Sequence, residues 1–196
     1  SKDAMTEAER EAHRQRNKAM REQREAEQAQ RHKDASESAA ALWSKAEPLT
    51  GANWHPYLKD KGIRSHGARL LEGKLLIPMR DTEGNLHSLQ TITPDGEKRF
   101  RGRMRGCYHA IGKPRGRIIV CEGYATGASI HEATGEAVAV SFNAGNLMPV
   151  ATALHTKYPE LVLLLEEAGH SLLQTRSFLE FASGHGRFTR HLVRAL

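Results

Sequence analysis

The chain predicts an α/β fold: a parallel sheet flanked by helices, preceded by a small antiparallel β-subdomain and a long charged N-terminal helix. Three observations carry this prediction. Ile118-Ile-Val-Cys121, Ala137-Val-Ala-Val-Ser-Phe142 and Leu161-Val-Leu-Leu-Leu165 are continuous apolar runs separated by helical patterns. Strands buried on both faces of a sheet read this way. Upstream, residues 75–101 read as short strands broken by turns, and residues 4–45 contain neither Pro nor Gly.

The elements follow in order. Residues 4–45 are rich in Ala, Glu, Gln, Arg and Lys, all good helix formers. Lys18/Glu22, Arg21/Glu25 and Glu27/Arg31 place opposite charges four apart. The apolar residues there are mostly alanine, so no coiled-coil seam is sustained. The stretch reads as a solvated linker helix, with a weak coiled coil as the alternative. Ala39-Ala-Ala-Leu-Trp43 could dock its end on a core, and Pro48 and Gly51 end it. Trp54 to Gly62 reads as a short helix closed by Gly62, with Trp43 and Trp54 as core anchors. Leu75 to Met79, Leu86 to Ile92 and a run from Lys98 read as strands, separated by turns at Asp81-Thr-Glu-Gly84 and Pro94-Asp-Gly96.

After Pro114 the character changes. Ile118–Cys121 is a strand, Tyr124 to Thr134 a helix closed by Gly135, and Ala137–Phe142 a second strand. Asn146 can cap a helix bearing Leu147, Val150, Ala151, Leu154 and Tyr158 on one stripe, with Pro149 in its first turn. Leu161–Leu165 is the third strand, and residues 171–182 read as a final helix. The expected division is residues 1–45 (linker helix), 46–113 (small helix and basic β-meander) and 114–196 (α/β domain, atypical after 165).

Charge narrows the partners. The net charge is +6; residues 1–38 hold nine basic and nine acidic side chains, so the whole excess lies beyond them. A basic domain suits a polyanion such as nucleic acid, although a merely soluble surface also explains it. Two cysteines without a CxxC exclude a zinc ribbon and argue against a disulfide framework. No apolar run approaches the roughly 20 residues of a membrane span, and nothing reads as a signal peptide. A soluble, cytoplasmic protein with no membrane partner is the expectation.

The chemistry concentrates around Glu122. An acid directly after Ile-Ile-Val-Cys emerges where a buried strand meets solvent, the edge at which α/β sheets collect ligands. Such a carboxylate can hold Mg²⁺ or exchange protons in phosphoryl transfer; equally, it can be an acid favoured at a helix N-terminus. Gly123 lets the backbone turn or approach a ligand. Before it, Lys98, Arg99, Arg101, Arg103, Arg105, Lys113, Arg115 and Arg117 fall within a stretch free of acids from Lys98 to Cys121. Phe100 and Tyr108 interleave, giving charges for phosphates and rings for bases. Strand alternation puts Arg99, Arg101, Arg103 and Arg105 on one face, with Phe100 and Met104 on the other. A solvated edge strand protected by charge is the competing reading.

Other candidates carry less. Cys107 stands where a P-loop needs its first glycine and Pro114 follows Lys113, so no P-loop exists. Eleven histidines show no paired metal-ligand spacing, and of these His109 and His170 fall nearest the Glu122 region. Cys121 reads as a small strand residue.

Val-Cys-Glu-Gly-Tyr-Ala-Thr-Gly-Ala, Val-Ala-Val-Ser-Phe-Asn-Ala-Gly-Asn-Leu and Leu-Val-Leu-Leu-Leu, in βαβαβ order, resemble the Toprim domain. More narrowly, they are similar to the Toprim primase-like proteins of plasmids and phages. Leu-Leu-Ile-Pro-Met-Arg-Asp-Thr-Glu-Gly, Ser-Leu-Gln-Thr-Ile-Thr-Pro-Asp-Gly-Glu-Lys-Arg-Phe and Gly-Cys-Tyr-His-Ala-Ile-Gly resemble the segment preceding Toprim in those primases. The resemblance covers roughly residues 43–165 and implies nucleotidyl transfer on single-stranded DNA with Mg²⁺ (or Mn²⁺). It makes Glu122 the general acid/base or metal organiser and places Gly123, Asn143, Gly145 and Asn146 along the site. The implied partners are single-stranded DNA and NTPs, with a helicase or an upstream replication domain as further candidates.

The family's Asp-x-Asp pair after the third strand is replaced here by Glu166-Glu-Ala-Gly-His170. Glu166 and then Glu167 are the carboxylates left to join Glu122 at a metal. A non-catalytic DNA-binding module derived from the fold, and a Toprim nuclease, are the alternative functions.

Overall fold

The computed structural model describes residues 6–50, 54–102, 104–166, 177–181 and 188–192. Helix α1 spans Glu7–Lys45 and opens on a capping box, in which Thr6 Oγ1 accepts from the Glu9 N–H and the Glu9 carboxylate accepts from the Thr6 N–H at 2.7 Å. Its first seven turns are exposed, carrying ion pairs such as Arg21–Glu25 at 3.2 Å. Near its end Ala39 is fully buried, with Leu42 and Trp43 packed beside it on Leu76 and Leu89. Ser36 Oγ also donates to the Leu86 carbonyl at 2.6 Å, so the helix docks by its last three turns.

Five strands form the first sheet in the order β1 (Glu47–Pro48), β2 (Arg69–Leu71), β3 (Lys74–Arg80), β4 (Leu86–Ile92), β5 (Lys98–Gly102), all antiparallel. Helix α2 (Pro56–Lys61) lies between β1 and β2 in the chain, with His55 as its N-cap and Gly62 in the left-handed conformation at its end. Trp54, expected as a core anchor, is instead 55% exposed, with the Lys59 ammonium 5.2 Å from its ring centroid. Alternation along β3 divides its side chains: Leu76 faces α1, whereas Leu75, Ile77 and Met79 face the second sheet.

The second sheet has the order β11 (Phe188–Leu192), β10 (Ser177–Phe181), β9 (Val162–Glu166), β7 (Arg117–Cys121), β8 (Ala137–Val140), β6 (His109–Ile111). Strands β9, β7 and β8 are parallel, as the continuous apolar runs require. Strands β6 and β10 flank them antiparallel, so the sheet is mixed. Residues 177–181 are thus strand, where the sequence suggested helix, because they pair along β9. Strand β6 falls before the expected boundary at 113–114 yet joins this second sheet.

Helix α3 (Tyr124–Thr134) covers the face of Ile119, Cys121, Val138 and Val140; helix α4 (Ala144–Lys157) covers that of Ile118, Val120, Ala139 and Leu163. The core under α3 runs without a break into Leu75, Ile77, Met79 and Ile92 of the first sheet. Gly127 sets the distance of α3, since a Cβ there would stand 2.7 Å from Val140 Cγ2 and 3.0 Å from Cys121 Sγ. Substitution Gly127→Ala forces the helix off the sheet and is expected to cost about 1–3 kcal/mol, read as a lowered urea midpoint.

His109 lies in this core rather than at a site. Its ring packs 5.7 Å from that of Tyr124, its Nε2 lies 2.8 Å from the His66 carbonyl, and burial lowers its pKa to about 4. The folded state therefore resists a proton that the unfolded chain accepts below pH 6.5. Stability contributed by the neutral ring is whole above pH 6.5 and falls toward pH 4, by about 3 kcal/mol in total. Denaturation midpoints from pH 7 to 4 should fall more steeply for the wild type than for His109→Gln.

Candidate functional site

The parallel strands β7 and β8 end side by side, and the backbone continues their ladder for two residues. Ser141 N–H donates to the Cys121 carbonyl at 2.8 Å, and Phe142 N–H to the Glu122 carbonyl at 2.9 Å. Glu122 is consequently fixed at the C-terminal edge of the sheet, half-buried, between the end of β7 and the first turn of α3. Gly123 is the N-cap of α3 with an ordinary extended φ of −95°; its lack of a side chain matters because Thr126 Oγ1 would lie 3.2 Å from a Cβ.

On β8 the chain must reverse direction into α4, and it does so at Phe142, a buried aromatic at φ 72°. A bulky residue in the left-handed region is an outlier worth about 1–3 kcal/mol of strain, which surrounding structure must overcome. No sequence signal singled out this position. Asn143 then caps α4, with Nδ2 3.9 Å from Met104 Sδ, and Gly145 is exposed in the first turn.

Asn146, expected as the cap, lies inside the helix and is buried. Its Oδ1 accepts from Gly106 N–H at 2.7 Å, while its Nδ2 donates to the carbonyls of Cys107 at 2.9 Å and Ser141 at 2.8 Å. One amide thereby clamps the turn after β5 to the end of β8. Arg105 is exposed within that turn, which closes through Cys107 N–H to the Met104 carbonyl at 2.9 Å. Arg105 is held at the edge that carries Glu122.

The other basic residues divide. Lys98 lies with its Nζ 5.8 Å from the Tyr57 ring, on the face of β5 that looks to the second sheet. Arg99 and Arg101 pair opposite Thr91 and Leu89, on the α1 face. Arg117 begins β7 and binds Glu136 at 3.0 Å; with Lys113 and Arg115 it lies at the opposite edge of the sheet. At about 3.3 Å per strand residue, that edge is roughly 16 Å from Glu122. The basic run is thus split between two edges. Arg103, Glu167 and His170 lie outside the described residues.

Glu166 is the last residue of β9, and the parallel pairing of Val120 with Leu165 sets it beside the end of β7. Two glutamates therefore terminate adjacent strands. Among the described residues, no three His, Cys, Asp or Glu converge as a closed metal site. Mg²⁺, however, is commonly held by one or two carboxylates together with waters and substrate phosphates. Glu122 is one such carboxylate, and Glu166 is by residue type a second at the end of the neighbouring strand, so the chemistry of the donor set fits such a cation.

Parallel strands β9-β7-β8 between two helices, with a glutamate at the end of β7, define the class, and the comparisons agree: residues 117–180 match the family model of the Toprim domain, so the chain carries a Toprim domain there. The match extends past Leu165 to residue 180. Over 144 residues the chain is 37% identical to a DNA primase TraC of Escherichia coli, covering 68% of this chain and 13% of that protein. A second DNA primase TraC of Escherichia coli is 38% identical over 120 residues, 56% of this chain and 8% of that protein. The chain thus spans only a small part of these relatives' length. The primase fragment of the bacteriophage T7 primase-helicase protein has a TM-score of 0.43 at 14% identity, covering 62% of this chain and 60% of that chain. Among the described residues, no helix is long and apolar enough to cross a membrane.

The clamp has a measurable worth. Asn146→Ala leaves one buried N–H and two carbonyls short of a partner and should cost about 2–4 kcal/mol in urea denaturation. Asn146→Asp, which turns the donor into an acceptor facing two carbonyls, should cost at least as much.

Proposed function

We propose that this chain belongs to a DNA primase-like protein, in which the Toprim domain and the adjoining antiparallel sheet bind single-stranded DNA and nucleoside triphosphates and join nucleotides with Mg²⁺ (or Mn²⁺). One observation carries the reading. The 144-residue similarity to a DNA primase is far longer than the Toprim segment at 117–180, so it takes in sequence of the antiparallel sheet as well.

In this reading Glu122 is the general acid/base or metal carboxylate, and Glu166, with Glu167 after it, completes the acidic set. When bound, a divalent cation would neutralise charge on the phosphoryl oxygens. The chain's own part is positional: Arg105, held by the Asn146 clamp, meets phosphate at the Glu122 edge. Arg99 and Arg101 add positive charge on the α1 face of β5, and Arg103, two residues further in the sequence, is a further candidate for phosphate. Lys113, Arg115 and Arg117 serve nucleic acid that continues past the other edge of the sheet. A helicase or an upstream replication domain completes the assembly, and its place would be the cytoplasm.

A second reading, a DNA-binding module without catalysis, is favoured by one feature: Glu166-Glu-Ala stands where the family carries Asp-x-Asp. Primer synthesis separates the two. With single-stranded DNA, NTPs and Mg²⁺ or Mn²⁺, the wild type should extend labelled product, and Glu122→Gln should lose it by roughly a hundredfold or more. DNA binding without product from either protein selects the module. DNA cleavage that needs metal but not NTPs selects a Toprim nuclease.

A further inference from the structure

Strand β5 is an edge strand of the first sheet, and its two faces have different neighbours. Lys98, Phe100 and Gly102 stand opposite Ile92, Gln90 and Ser88, on the face that sends Leu75, Ile77 and Met79 into the shared core. Phe100 reaches across to the end of the second sheet. Its ring meets that of Phe142 edge to face, centroids 6.1 Å apart and planes at 83°. Phe142 is the residue whose N–H binds the Glu122 carbonyl.

Phe100 is nevertheless 41% exposed, a large apolar ring left in water beside an acidic edge. Its contact with Phe142 fixes the ring without burying it; the exposed Lys98 shares its face of the strand, while the exposed Arg99 and Arg101 adjoin it in the chain on the α1 face. A fixed, open aromatic on a strand edge that also carries cations is the arrangement that single-stranded nucleic acid uses: bases stack on the ring while phosphates meet the charges. Tyr108, the other ring in the basic run, has no such freedom. It is half-buried against Leu147 and Tyr158, its backbone is bridged to Arg80, and burial pushes its hydroxyl up to about 12.

We propose that Phe100 is a stacking platform for a nucleobase, positioned by Phe142 beside Glu122, with the cations of β5 holding the adjoining phosphates. This rests on the nucleic-acid reading above and adds to it the residue that touches the base. The base belongs either to the DNA strand or to an incoming nucleotide, and binding distinguishes the two.

The test is titration of labelled oligothymidylate, and of an abasic oligomer of equal length, at one fixed salt concentration. Both carry the same phosphates, so only the first can stack. Wild type should prefer oligothymidylate. Phe100→Leu, which keeps the apolar contact with Phe142, and Phe100→Ala should weaken that binding roughly five- to hundredfold while leaving the abasic oligomer unchanged. Phe100→Trp should restore the preference.

ATP titration of the same proteins assigns the source. A loss for ATP with oligomer binding intact places the nucleotide's base on the ring, and the reverse places the strand's. Equal loss on both oligomers, or no loss on oligothymidylate and ATP alike, overturns the stacking role alone. Failure of the wild type to bind either oligomer or ATP overturns the nucleic-acid reading itself.

Discussion

Burial of β7 on every side is the constraint on which the rest of the molecule depends. Strands β9 and β8 flank it, α3 lies on one face and α4 on the other, and Ile118 to Cys121 are each at most 4% exposed. From Ile118 to Cys121 such a strand tolerates no charge, so the first acid has to wait for its end. Glu122 is that acid. Its backbone is then tied to β8 by the Phe142 hydrogen bond, which makes its position a property of the sheet rather than of a loop. The glycine at 127 belongs to the same constraint, because α3 seals the strand only by approaching closer than a methyl group allows.

The antiparallel sheet is attached to this centre by apolar packing and by polar contacts, among them the Asn146 amide and the backbone bridge between Arg80 and Tyr108. The core under α3 includes β3 and β4 side chains, so the two sheets bury their apolar surface together. Polar backbone must nonetheless pass between them where the chain leaves β5. Asn146 answers that need by pairing three backbone groups of the crossing with a single side chain. Buried polar groups are costly when unpaired, so the same contact that permits the crossing also fixes its register. The charged surface divides as a result, with Arg105 brought to the acidic edge and Arg117 kept at the other.

Much of this was legible in the sequence, and the reason is periodicity. Continuous apolar runs located β7, β8 and β9, and the bounds of α3 coincide with the pattern from Tyr124 to Gly135. What escaped was decided by tertiary contact. Asn143 and Asn146 are equivalent as local caps, and only the crossing at Gly106 and Cys107 claims the second for the interior. Trp54 has the composition of an anchor but stands more than half exposed, and residues 177–181, where the sequence suggested helix, pair along β9 as strand. The strand β6 is three residues long, too short for any period to declare itself. Basic residues contiguous in sequence were separated because the strand β7 runs between their two locations, a distance that a linear reading does not contain.

The two cysteines take on a use that their chemistry alone would not suggest. Cys107 lies in the crossing held by Asn146 and Cys121 lies under α3 at Gly127, both almost wholly shielded from solvent. An alkylating reagent reaches a thiolate only when its shield lifts. The rate of modification at Cys107 therefore times the parting of the two sheets, and the rate at Cys121 times the lifting of a helix from the central strand. The chain carries, without engineering, one clock for each of the two joints on which its acidic edge is built.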